Sequence, residues 1–143
     1  MIKCPIFECM LFKDILGLDH IKNHLCSSAD AGRIPHAQLF VGPEGSGTLV
    51  TALAYAQYLL CNNSGGENLP VEDSCNLKCA SLSHPDLHFA FPVSNSAKVK
   101  SHAVSDNYIA EWRQFIKEQP YGNLFDWYQL IGIEKKQGQI GVD

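Results

Sequence analysis

The sequence predicts an α/β fold with parallel strands, and three observations carry that prediction. A short apolar run, Ala37-Gln38-Leu39-Phe40-Val41, leads into a glycine-rich turn, Gly42-Pro43-Glu44-Gly45-Ser46-Gly47. The turn opens into a stretch from Thr48 to about Cys61 that is apolar on most of its circumference, as a sandwiched helix would be. A second apolar run, Leu87-His88-Phe89-Ala90-Phe91, ends at Pro92 and reads as another strand. Strand, glycine turn and buried helix form half of a βαβ unit, whose strands run parallel.

The elements follow in order. Residues 1–9 show no pattern and are left unassigned, and Met10 is a second candidate start, so the patterned region is 10–143. Asp19 is placed to cap a helix running to about Ser28, with Ile21, Leu25 and Ser28/Ala29 on one face and Gly32 as its stop signal. After the strand, turn and helix already described, 62–83 is a polar, Gly- and Asn-containing loop that holds Cys75 and Cys79. A loop of that length in a compact domain is usually functional or disordered. Tyr108, Ile109, Trp112, Phe115 and Ile116 mark a helix closed by Pro120. Tyr121-Gly122-Asn123 is a turn, and Leu124 to Ile131 is a short, aromatic-rich helical segment. The remainder is polar and glycine-broken, and no internal repeat is present.

Composition limits the function classes. The chain has 143 residues, 45% hydrophobic and 18% charged, which is the composition of one globular domain. Eleven Lys plus Arg against 15 Asp plus Glu give a net charge of −4. A free-standing nucleic-acid binder carries a basic excess, so contact with DNA is expected to need partner subunits. The apolar stretch from Leu49 to Cys61 is too short to span a bilayer. The first ten residues lack the apolar core and cleavage site of a signal peptide. The expectation is a cytoplasmic protein without membrane contact. Its six cysteines, at 4, 9, 26, 61, 75 and 79, are then expected as free thiols or metal ligands rather than disulfides.

The glycine turn is the main candidate site. A phosphate loop has Gly, four residues, Gly, Lys, then Ser or Thr; backbone N–H groups cradle the phosphates, Lys neutralises them and the hydroxyl holds Mg²⁺. Here Gly42, Gly45 and Gly47 keep the scaffold, but Thr48 stands where Lys belongs and Leu49 where the hydroxyl belongs. No basic residue follows before Lys78, and Glu44 adds a like charge inside the loop. Losing that cation removes a charge-assisted contact worth roughly 1.5–3 kcal/mol. Gly42, Gly45, Gly47 and Thr48 are therefore read as a vestigial phosphate loop without hydrolysis; the expectation is no bound cofactor, with weak ATP binding through the backbone left open, and the alternative is a plain glycine-rich turn from strand to helix.

Flanking motifs sharpen this. The string His36 to Gly47 resembles the first strand and phosphate loop of bacterial clamp-loader ATPases of the AAA+ class. Phe12-Lys-Asp-Ile-Leu-Gly-Leu18 resembles their N-terminal segment, Arg33-Ile-Pro-His36 their lead-in to the strand, and His84-Pro-Asp86 a tripeptide that follows their zinc module. The matches run in family order over most of Leu11 to Asp143. Within the family, the lost Lys and the segments Phe125-Asp-Trp-Tyr128 and Gly138 to Asp143 are most similar to delta-prime members of the Bacteroidetes type.

The resemblance implies a P-loop NTPase three-layer α/β/α sandwich, truncated before the acidic strand, sensors, lid and collar, so that the two strands lack their central neighbours and the piece is poorly stable. It implies a non-catalytic subunit of the DNA polymerase III clamp loader, working with the gamma/tau and delta subunits to place the sliding clamp on primed DNA. Such a subunit has no intrinsic activity but serves a DNA-directed DNA polymerase, a nucleotidyltransferase. The alternative is an active P-loop ATPase such as gamma/tau. The resemblance also places Cys61, Cys75 and Cys79 at the position of a four-Cys zinc module. With three cysteines, and three residues between Cys75 and Cys79 instead of two, free thiols are the preferred reading; His84 is the candidate fourth ligand.

Two further readings are weighed against packing. His84 and His88 have no Ser or Cys in a nucleophile-elbow pattern beside them, so structural roles are favoured. Trp112, Trp127, Tyr121 and Tyr128 would suit a stacking platform for single-stranded nucleic acid. However, Trp112 shares an apolar helix face with Ile109 and Ile116, which favours core packing.

Overall fold

The computed structural model describes residues 11–61, 73–133 and 137–141. The chain falls into two compact units, one ending at Leu87 and the other starting at His88.

Among its described residues the first unit is built on three helices, α1 (Asp19–Asp30), α2 (Thr48–Cys61) and α3 (Ser74–Ala80); α3 corrects the reading of 62–83 as a loop, of which 62–72 lie outside the described residues. α1, α3 and a 3₁₀ turn at Phe12–Asp14 all pack on α2. That explains why α2 is apolar nearly all round: Val50, Leu53, Ala54, Tyr55 and Cys61 are buried against different neighbours. Phe12 lies against Tyr55 and Tyr58, with ring centroids 6.4 and 6.0 Å apart. The buried polar groups are paired, as burial demands: Gln57 Nε2 donates to Asn76 Oδ1 at 3.0 Å, tying α2 to α3. The Tyr58 hydroxyl donates to Asp30 at 2.6 Å, tying α2 to α1. Burial, and next the nearby Asp30 carboxylate, push the Cys26 thiol above its ordinary range.

α1 begins one residue earlier than expected. Leu18 is the N-cap, in the left-handed region at φ +58°, and Asp19 is the first helical residue. Asp19 still faces the positive end of the helix and pairs with Lys22 Nζ at 3.3 Å. Gly32 ends the helix as anticipated, at φ +68°, with Arg33 N–H reaching back to the Ser28 carbonyl at 2.9 Å.

The parallel strands are the main correction. Ala37 to Val41 has no regular secondary structure: among the described residues no backbone–backbone hydrogen bond engages 34–42, and Leu39 and Val41 are 88% and 80% exposed. Leu87 to Phe91 likewise forms no ladder. A strand exists only when a second strand satisfies its N–H and C=O groups. Pairing among the described residues is limited to an isolated antiparallel bridge between Val93 and Gln139, with bonds of 2.9 and 2.8 Å. The described residues are thus helical with no strands, and the three-layer α/β/α sandwich is not formed by them.

The second unit packs α4 (Ile109–Glu118) and α5 (Leu124–Leu130) around an aromatic core. Phe91 stacks on Trp112 with centroids 4.3 Å apart, and Trp127 stands edge-on to both at 5.2 and 5.1 Å. Trp127 Nε1 donates to the Pro92 carbonyl at 2.8 Å. With Trp112 and Trp127 buried, they provide no stacking platform. The Ser105 hydroxyl binds both the N–H and the carbonyl of Phe91, each at 3.0 Å, supplying what a neighbouring strand would have supplied. Asn123 and Asp126 form a reciprocal capping box that starts α5.

Two predictions arise in this unit. A Cβ at Gly122 would sit 2.7 Å from Phe115 Cζ and 3.0 Å from the Gln119 carbonyl. Gly122→Ala is therefore expected to destabilise by about 1–3 kcal/mol, the usual cost of overpacking, read by urea denaturation. Glu111 is paired with Lys98. Burial alone would raise its carboxyl, but the hydrogen bonds and charge of that pairing outweigh it and hold the group below its ordinary value. A depressed carboxylate contributes stability above its unfolded pKa and loses it as pH falls through the folded one. Glu111→Gln should flatten the acid side of the stability profile, starting from the ordinary carboxylate range and extending below it, measured as Tm against pH; because the pair is partly exposed the effect is small.

Candidate functional site

The turn between residues 37–41 and α2 is shaped by its glycines. Gly45 and Gly47 sit at φ +74° and +82°, the left-handed region where side chains are strained. Gly42 is needed for close approach, since a Cβ there would lie 2.5 Å from Ser46 Oγ and 2.9 Å from Thr48 Cγ2. Ser46 N–H closes the turn on the Pro43 carbonyl at 3.1 Å. The Gly47 carbonyl accepts from both Thr51 N–H at 2.9 Å and Thr51 Oγ1 at 2.7 Å, which seats the first turn of α2. Thr48 is half-buried as the first residue of that helix.

A cavity of about 530 Å³ opens beside the turn, within the range of small-molecule sites. Gly42 and Thr48 line it; Gly45 and Gly47 shape the turn without lining the cavity. Its walls come from residues 37–41 through Gln38 and Phe40 and from α1 through Ile21 and His24. Gln38 Nε2 is held by the Tyr55 hydroxyl at 3.4 Å. Among the described residues lining the cavity none is Lys or Arg, and His24 alone can carry a positive charge. Glu44 lies exposed in the turn and contributes negative charge. The arrangement offers backbone and hydroxyl donors with apolar walls, but no fixed cation to hold a triphosphate.

Sequence reasoning missed α1 as a wall of this cavity. The sequence pattern puts Ile21 on the apolar face with Leu25 but does not show what that face covers; in the structure Leu25 is buried while Ile21 is 43% exposed, and both line the cavity.

The cysteines correct another expectation. Cys61, at the end of α2, and Cys75, in α3, are joined by a disulfide rather than standing as free thiols. Cys79 Sγ lies 3.7 Å from Cys61 Sγ, and all three sulfurs fall within 4.8 Å of one another. The cluster does not fit a structural zinc ion. Zinc is held by four ligands as thiolates or imidazole nitrogens, and two of these three sulfurs are bonded to each other. His84 does not join them; its Nδ1 accepts from Asp86 N–H at 3.2 Å within its own turn.

Comparison with known proteins places the chain. The family described as DNA polymerase III, delta subunit, matches residues 17–136. The chain belongs to that family. Its kinship with the clamp-loader subunits of DNA polymerase III, expected from His36 to Gly47 and the flanking motifs, is thereby shown. It is 40% identical over 75 residues to DNA polymerase III subunit delta' of Bacillus subtilis, an alignment covering 52% of this chain and 22% of that protein. It is 33% identical over 75 residues to subunit tau of the same organism, covering 52% of this chain and 12% of the relative. Subunit gamma/tau of Mycobacterium bovis is 36% identical over 73 residues, covering 50% and 12%. The chain therefore aligns with less than a quarter of the length of each of these relatives. No solved structure matches it.

Proposed function

We propose that this DNA polymerase III delta family chain acts as a non-catalytic, delta-prime-like part of the clamp loader, helping to load the sliding clamp on primed DNA during replication. One observation carries the reading: the cavity at Gly42 and Thr48 has no Lys or Arg in its lining. The glycine turn keeps its shape, so the site can meet a nucleotide weakly through backbone N–H groups. Without a cation, charge developing on the phosphoryl oxygens is not stabilised, and that electrostatic contribution dominates phosphoryl transfer. The chain then contributes by assembly, with gamma/tau and delta subunits as partners and DNA reached through them, in keeping with its net charge of −4. No helix among the described residues is long and apolar enough to cross a membrane, which agrees with a role in the cytoplasm.

The relatives named tau and gamma/tau favour a second reading, an active ATPase. Phosphate release from ATP and Mg²⁺ by the intact protein separates the two. The proposal expects a rate equal to that of a Gly47→Val variant, whose turn cannot form; turnover well above it establishes the ATPase. Co-purification with the other loader subunits, with and without ATP, tests the assembly role.

A further inference from the structure

We propose that this chain holds α3 to the end of α2 by a redox-responsive disulfide clasp, the Cys61–Cys75 bond. The inference goes beyond the role in the clamp loader and rests on the mismatch between the cysteine cluster and a metal site. Cys61 is the last residue of α2 and Cys75 lies in the first turn of α3, 14 positions on, so their bond closes the intervening segment. Side-chain hydrogen bonds also tie the two helices, Gln57 to Asn76 at 3.0 Å and the Cys61 and Cys79 sulfurs at 3.7 Å. Asp73 caps α3 by accepting from Cys75 N–H at 2.8 Å, which fixes the backbone of the cysteine that reaches across. Cys61 and Cys79 are buried, whereas Cys75 is half-exposed, so an external thiol meets the bond from the Cys75 side.

The chemistry balances with a dithiol as co-reactant. A dithiol gives two electrons and two protons; the Cys61–Cys75 bond breaks to two thiols and the reagent closes to its own disulfide. A small-molecule disulfide such as oxidised glutathione runs the exchange backwards. In a reducing compartment the clasp closes only when the redox poise shifts, which makes the attachment of α3 a reporter of oxidation. The other end of α2 carries the glycine turn, so the clasp acts on the helix that shapes the cavity.

The test uses the purified chain, wild type, Cys75→Ser and Cys79→Ser, with zinc analysis and a peptide map under non-reducing conditions. Reduction of the wild type is expected to lower Tm by roughly 10–20 °C, from the loop closed and the size of the unit, while a metal chelator leaves it unchanged. Cys79→Ser keeps the response to reductant, and Cys75→Ser loses it and melts near the reduced wild type. If Cys75→Ser does not fold, the wild-type response and the Cys61–Cys75 peptide still decide. One zinc per chain, a fall in Tm with chelator, equal losses in both variants, or a Tm indifferent to reductant would each overturn the proposal.

Discussion

Trp127→Ala is expected to unfold the second unit. The side chain is 1% exposed and stands edge-on to Phe91 and Trp112, with Phe115 at 5.6 Å. Truncating a buried Trp to Ala costs about 3–5 kcal/mol through lost transfer energy and the cavity left behind. The Pro92 carbonyl also loses its indole donor. A small domain is stable by about 5–15 kcal/mol in total, so the variant should lose its near-ultraviolet circular dichroism and its cooperative urea transition. Trp112→Phe is the contrast. Trp112 Nε1 is buried with no hydrogen-bond partner among the described residues, so removing it orphans no acceptor. Its cost should stay near that of the lost ring area, and if Trp112→Phe proved as damaging as Trp127→Ala, the description of this core would be wrong.

Thr48→Lys is expected to restore nucleotide affinity. Thr48 lines the cavity at the start of α2, the position that a phosphate-loop lysine would occupy. Charge-assisted contacts contribute about 1.5–3 kcal/mol, equal to a gain of roughly 10- to 150-fold in affinity for Mg·ATP. Leu49 still lacks the hydroxyl that would hold Mg²⁺, so binding should rise while hydrolysis stays at background. The gain should shrink with added salt, as for any partly exposed charge pair. Thr48→Met, of similar length but neutral, should give none of it; an equal gain in that variant would mean that the cavity responds to packing and not to charge.

The parts of the molecule legible from sequence are those decided locally. The helix after the glycine turn spans Thr48–Cys61 as its apolar pattern requires, and the helix read from Tyr108 to Pro120 ends at Glu118, just before the proline. Gly42 and Thr48 meet at one cavity because turn and helix are consecutive in the chain. What depends on distant partners was not legible. An apolar run such as Ala37 to Val41 has strand composition, but whether it becomes a strand depends on a second segment to bond its backbone, and composition does not report that. The Cys61–Cys75 bond was missed because compartment sets the expectation for thiols, whereas the bond depends on α3 folding back onto the end of α2. The α1 wall of the cavity, with His24, was missed for the same reason: the pattern shows which face of a helix is apolar, not what it covers.

Calorimetric titration of the intact wild-type protein with ATP and Mg²⁺ bears most directly on the missing cation. Heats no larger than dilution at micromolar nucleotide, with saturation only in the Thr48→Lys variant, are the expected result. Tight, stoichiometric binding by the unaltered protein would contradict the account, because some positive charge would then have to reach a cavity whose described lining offers only His24.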